Sequence, residues 1–217
     1  LFDGCAMYYL ALLTYDDANA DMLPTMKRAI ISLRLAWLTK ELNERGPGHN
    51  YDYISKKADE IRNKYSLSTI PVDLAAIVKA ENIDVKVTNL SQLEKSSNRK
   101  ISGLIVVDKD QDRKFILINS SDAPTRRNFT LAHELGHYFL HTHDTSDKVI
   151  ISFRGLNNQR EREANWFAAE LLMPEKEVKE EHNDAFIPSI SYLADIFNVS
   201  HAAMAVRLNE LGLSYIG

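Results

Sequence analysis

The chain has one cysteine among its 217 residues, Cys5, so it cannot form an internal disulfide, which fits a reducing compartment such as the cytoplasm. It has no apolar run near the roughly 18 residues that a membrane span needs. The most apolar stretch, residues 4–13, is too short to span, follows Asp3 instead of a basic segment and lacks a cleavage-site pattern. A signal peptide is therefore not expected. Basic charge is not in excess either. The 26 Lys and Arg against 30 Asp and Glu give a net charge of -4 and a pI near 6.0, with no general attraction to nucleic acid or to an anionic membrane. What the chain does have is apolar residues, 45% of the total, enough to bury a full core in one domain with appendages or in two small domains.

The most informative stretch is His133-Glu134-Leu135-Gly136-His137, an HExxH motif set in an apolar helical pattern. An α-helix turns about 100° per residue, so positions four apart lie within roughly 40° of one another and can share one metal ion. His133 and His137 meet that condition. Catalytic zinc takes three protein ligands and leaves a fourth position to water, whose pKa it lowers to about 7. Glu134, next to the first histidine, can reach that water without binding the metal, which is the arrangement of amide hydrolysis. A surface helix carrying two satisfied histidines is the plain alternative. Leu131, Ala132, Leu135, Tyr138 and Phe139 argue against it, because they make the helix apolar on most of its circumference and so bury the polar groups, which then need partners.

In chain order, residues 1–50 predict helices. Met7, Leu10, Ala11 and Leu13 suggest a short one, and Ile30, Leu33, Trp37, Leu38 and Leu42 a second that ends at Gly46-Pro47-Gly48, the clearest linker. This pair could be a partner-binding or homodimerising element, or an extra layer on the core, and the pattern leaves both open. A helix through Ile54, Ala58, Ile61 and Tyr65 follows, and Pro71-Val72-Asp73-Leu74 opens another. Residues 83–87 alternate as a strand, and residues 101–107 and 114–118 flank a polar turn as a β-hairpin. Asp108, Asp110 and Asp112 have the spacing of a calcium loop, but the glycine and the bidentate glutamate are missing, so a solvated turn is expected. Ser121 or Asp122 can cap the HExxH helix, with Pro124 in its first turn. Arg126 and Arg127 are expected to be solvated or acid-paired. His141 drifts about 80° from His133 and is expected behind the ligands or at the surface.

The third ligand should come from a helix that Asn157 or Asn158 can cap and Pro174 halts. Glu163, Trp166, Phe167 and Glu170 form a stripe on it, and a carboxylate on a core-facing aromatic stripe needs a partner, so Glu163 and Glu170 are both candidates. Glu161 lies roughly 160° from Glu163 and is expected to be solvated. The HELGH motif together with Glu163-Ala164-Asn165-Trp166-Phe167-Ala168-Ala169-Glu170-Leu171-Leu172-Met173-Pro174 resembles the ImmA/IrrE family of zinc metallopeptidases over residues 51–215. The resemblance implies zinc ligands at His133, His137 and Glu163, with Glu134 as catalytic base. It also implies a substrate that is a helix-turn-helix repressor, cut to release phage, mobile-element or stress genes.

Residues 175–184 are expected to be a solvated connection. Residues 189–212 predict two helices around a turn at Asn198-Val199, the second capped by Ser200 and ended by Gly212. That second helix carries one arginine, Arg207, so a structural or protein-recognition role is expected ahead of DNA binding. The expected architecture is α+β: a helical extension over 1–50, a zincin-like metallopeptidase core with a small antiparallel sheet over 51–175, and a helix-turn-helix-like module over 176–217. The rival functions are a DNA-binding regulator with a structural metal site and a non-catalytic antitoxin or scaffold. A structural zinc site would be closed by four ligands and would need no base.

Overall fold

The structure is a computed structural model that describes residues 51–98, 100–142, 149–153, 159–185 and 188–216. The helical extension and dimerising element expected over residues 1–50 lie outside them, as do Asn157 and Asn158. The chain divides into two compact units, one of residues 48–90 with 101–217 and one of residues 1–47 with 91–100. The first carries the HExxH motif.

That unit opens with α1 (Tyr51–Lys64), whose Ile54, Ala58 and Ile61 fall on one helical face and are buried. After α2 (Ala75–Ala80) comes β1 (Asp84–Thr88). Helix α3 (Ser91–Ser97) belongs to the other unit. The hairpin β2 (Gly103–Asp108) and β3 (Arg113–Asn119) pairs antiparallel, with Ile105 opposite Ile116. Its turn is closed from within, because Asp108 Oδ1 accepts the backbone N–H groups of Asp110 and Gln111, both at 3.0 Å. Strand β4 (Val149–Phe153) adds antiparallel to the free edge of β2.

The sheet order is β1-β3-β2-β4, and it is mixed where an antiparallel sheet was expected. β1 runs parallel to β3, Val85 opposite Ile116. The hairpin leaves β3 one open edge, and the 14 residues between β1 and β2 are long enough for the crossover that parallel pairing needs.

Helix α4 (Pro124–His141) carries the HExxH motif and lies against β2 and β3. Its N-cap is Ala123, without a side-chain cap, and neither Ser121 nor Asp122 fills that role. Both are engaged elsewhere: Ser121 donates through N and Oγ to Asn119 Oδ1, and Asp122 pairs with Arg126 at 3.4 Å. Pro124 at the first turn has no N–H to satisfy.

Helix α5 (Gln159–Leu172) packs against α4 and α1. Residues 175–184, expected to be a solvated connection, form helix α6 (Glu175–Asp184). Glu175 and Glu177 complement the dipole at its start, Lys179 pairs with Glu175, Arg62 with Glu177 at 2.5 Å, and Val178 is buried. Helices α7 (Ile190–Ile196) and α8 (His201–Glu210) are each capped by a serine: Ser189 accepts from Tyr192 N and Ser200 from Ala203 N. Their Leu193, Phe197, Met204 and Leu208 share one buried cluster with Phe167, Leu171 and Met173 of the α5 region. Arg207 of α8 is buried there too, donating to Met173 O at 2.9 Å and to both oxygens of Glu170 at 3.1 and 2.5 Å.

Candidate metal centre

On α4, His133 and His137 point the same way, as a spacing of four requires, and their Nε2 atoms lie 3.1 Å apart. Both are buried, at 0% and 2% exposure, and Glu134 between them is 0% exposed. Gly136 lets α5 come close on this side of the helix. A Cβ at that position would sit 3.1 Å from both Cα and O of Ala164 and 3.2 Å from Phe167 Cδ1.

The close approach brings Glu161, one turn before Ala164, to the two imidazoles. Its Oε1 lies 3.0 Å from His137 Nε2 and its Oε2 3.4 Å from His133 Nε2. His133, His137 and Glu161 form a group of three potential ligands whose donor atoms lie within 4.8 Å of one another, and among the described residues it is the group of that kind. Two imidazole nitrogens and a carboxylate turned toward one point make a donor set that a divalent cation fits. Burial pushes His137 down to about 4 against its hydrogen bond to Glu161, so the imidazole is neutral at physiological pH. Burial alone would raise Glu161, but its hydrogen bonds with both histidines prevail and hold it at about 2.

Glu163 does not join this group. Its Oε2 lies 3.0 Å from His141 Nε2, and its Oε1 accepts from Gln159 Nε2 at 2.8 Å. His141 in turn lies behind His137, Nδ1 to Nδ1 at 3.0 Å, and burial pushes it to about 4 as well. The expectation that Glu161 is solvated is overturned, because the residue is 5% exposed. The physical reason lies in which face of α5 meets α4. Trp166 and Glu170 of the expected stripe turn toward α1, where Trp166 Nε1 donates to Ser55 Oγ and Ser55 Oγ to Glu170 Oε1, both at 3.0 Å, and where Tyr51 stacks on Trp166. The opposite face carries Glu161, Ala164 and Ala168, small enough for two backbones to approach, and the signal in the sequence was that run of small residues and not the aromatic one. Glu170, the other candidate on spacing, is taken up by Arg207 and Ser55.

Glu134 is held beneath β2. A Cβ on Gly103 would lie 3.1 Å from Glu134 Oε1 and 2.4 Å from Thr130 Cγ2, so the bare glycine at the start of the strand is what leaves room for the carboxylate. His133 Nδ1 lies 2.9 Å from Asn165 Oδ1, a contact that nothing in the motif spacing announced.

A family model described as the IrrE N-terminal-like domain, Peptidase_M78, matches residues 80–209, which include every residue of this group. The chain is 33% identical over 111 residues to the metallopeptidase ImmA of Bacillus subtilis (strain 168), a stretch covering 51% of this chain and 64% of that relative. It is also 33% identical over 149 residues to a protein of Bacillus phage phi105 named uncharacterized immunity region protein 2, covering 67% of this chain and 82% of the relative.

Proposed function

The chain belongs to the IrrE N-terminal-like domain family of peptidases, and on that premise we propose that it is a zinc-dependent endopeptidase whose metal is held by His133, His137 and Glu161. The observation that carries the proposal is the convergence of those three side chains, at 3.0 to 3.4 Å from one another, beside the buried carboxylate of Glu134. A zinc ion there supplies a Lewis acid for the scissile carbonyl and a water of pKa about 7. Glu134 accepts the proton of the attacking water and delivers it to the amine as the carbon–nitrogen bond breaks. Glu134 performs this acid and base work from a fixed position, because β2 at Gly103 and the helix itself leave it little room to move. Three protein ligands and a base favour a catalytic centre over a structural one, which four ligands would close.

For the substrate we propose a helix-turn-helix transcriptional repressor, cut to release phage, mobile-element or stress genes. The phage relative named for an immunity region supports this assignment. The pair α7 and α8, joined by residues 197–200, has a helix-turn-helix-like arrangement, and its role is taken to be structural or protein-recognising. Arg207, the one arginine of α8, is 1% exposed and bound to Glu170, so it is not available to a phosphate. No helix among the described residues is long and apolar enough to cross a membrane.

The test pairs metal analysis with cleavage. Glu161→Gln should lose zinc while Glu163→Gln keeps most of it, and the reverse would move the third ligand to Glu163. Glu134→Gln should keep zinc and fold but lose about 10²- to 10⁴-fold in turnover of a candidate repressor, with substrate binding little changed. Cleavage at the wild-type rate by zinc-loaded Glu134→Gln would overturn the mechanism.

A further inference from the structure

Arg126 stands on the same stripe of α4 as the two histidines. Seven residues turn a helix by about 700° and eleven by about 1100°, so Arg126 lies within roughly 20° of both His133 and His137, and about 10 Å before His133 along the axis. The stripe reaches the surface here, because Thr130 and His133 are 0% exposed while the side chain of Arg126 is 48% exposed. One edge of its guanidinium is fixed. Nε and Nη2 donate to Ser102 Oγ at 3.3 and 3.2 Å, and Nε pairs with the buried carboxylate of Asp122 at 3.4 Å. Ser102 immediately precedes Gly103, where β2 comes closest to Glu134, so the strand end that seats the base also seats the arginine. The other edge is open: Nη1 has no partner among the described residues.

A guanidinium held along one edge and open at the other is a receptor for a planar acceptor, and a carboxylate matches its fork. An extended peptide advances about 3.3 Å per residue, so about 10 Å from the metal group is about three residues from the bond being cut. We propose that Arg126 is a specificity-determining residue that receives a carboxylate of the peptide substrate, about three or four residues to one side of the scissile bond. The inference rests on the peptidase reading above. Ser102 and Asp122 hold the guanidinium before the substrate arrives, so little side-chain freedom is left to lose on binding. Asp122 also takes up part of the charge and water screens the open edge, which keeps the expected preference to about tenfold. A peptide carries such a carboxylate on Asp or Glu, or at its own C-terminus.

The experiment incubates the zinc-loaded full chain with a peptide library made by digesting a bacterial proteome, and maps the cuts by mass spectrometry. Wild type should enrich a carboxylate at one position about three or four residues from the cut, on a single side. The best-cut peptide is then made with Glu or Gln at that position, each with a free and an amidated C-terminus. Wild type should favour the carboxylate-bearing peptide about tenfold in kcat/KM, chiefly through KM, and the four peptides show whether side chain or chain end supplies the group. Arg126→Gln should cut the paired peptides equally. That ratio within one enzyme cancels any loss of folded or zinc-loaded protein, whereas a purely structural arginine would slow all peptides alike. Should Arg126→Gln fail to fold, Arg126→Lys keeps a cation beside Asp122 without the fork, and its preference should fall several-fold. Cleavage by wild type without the preference, or a preference undiminished in the variants, would overturn the inference alone. No cleavage of any peptide by wild type would overturn the peptidase reading, and this inference with it.

Discussion

Gly136→Ala adds one methyl group where α4 and α5 meet, and its effect follows from three contacts. The new Cβ would sit 3.1 Å from Cα and O of Ala164 and 3.2 Å from Phe167 Cδ1. Carbon atoms prefer roughly 3.5 to 4.0 Å, so the helices must part by a few tenths of an ångström, and the backbone atoms of Ala164 cannot rotate away. In a free helix the same change stabilises by about 1 kcal/mol. Overpacking of this kind costs about 1 to 3 kcal/mol, so the net effect is a loss of about 1 kcal/mol, read as a melting temperature lower by ~2 to 4 °C. The metal should register it more sharply. Glu161 lies one turn from Ala164, and ligand distances tolerate only about 0.2 Å, so zinc affinity should fall about tenfold. The assays are thermal melting of the zinc-free protein and chelator competition on the same samples. A raised melting temperature with undiminished zinc affinity would show that the close helix approach is not what places Glu161.

Gly103→Ala should act on chemistry instead: its Cβ would crowd Glu134 Oε1 and Thr130, so turnover should drop ~10- to 100-fold with zinc content unchanged, and an unaltered turnover would refute the role of that glycine. Arg207→Met should destabilise by about 3 kcal/mol in urea unfolding, because it leaves Glu170 and Met173 O without their buried donor, and a loss below about 1 kcal/mol would refute the pairing argument. The zinc-free protein should lose stability as pH falls from about 6.5 toward 4. Over that window unfolded histidine takes up a proton that His137 and His141, each held to about 4, do not. Glu161, held at about 2, adds stability above its usual range that is lost only as pH falls further, from about 4.5 toward 2. A melting temperature constant between pH 7 and 4.5 would contradict the histidine assignment.

The HExxH helix was legible in the sequence because its signal is local: two histidines one turn apart and an apolar circumference need nothing beyond the helix itself. The β-hairpin and the serine cap at Ser200 were legible for the same reason. The parallel pairing of β1 with β3 was not, since a single edge strand carries no mark of its direction. Helix α6 was missed because Val178 is its one fully buried side chain, and its order comes from charge pairs within the helix and a partner on α1. Glu161 was expected to be solvated and is buried, for a reason of packing. Aromatic bulk at Trp166 and Phe167 marks burial, but a metal shared between two helices needs the backbones near one another, and alanine at 164 and 168 marks that face. Expectations for residues 1–50 fall outside what the structure describes.

The clasp that Arg207 closes on Glu170 and Met173 O gives α5 a fixed end far from the metal group. Glu161 stands nine residues back along the helix, roughly 13 Å at the usual rise. Over that length the helix works as a lever arm. A tilt of about 4° at the clasped end would swing the Glu161 carboxylate by roughly 1 Å, several times what a metal ligand tolerates. Whatever grips, removes or rotates α8 therefore reaches the metal without touching it.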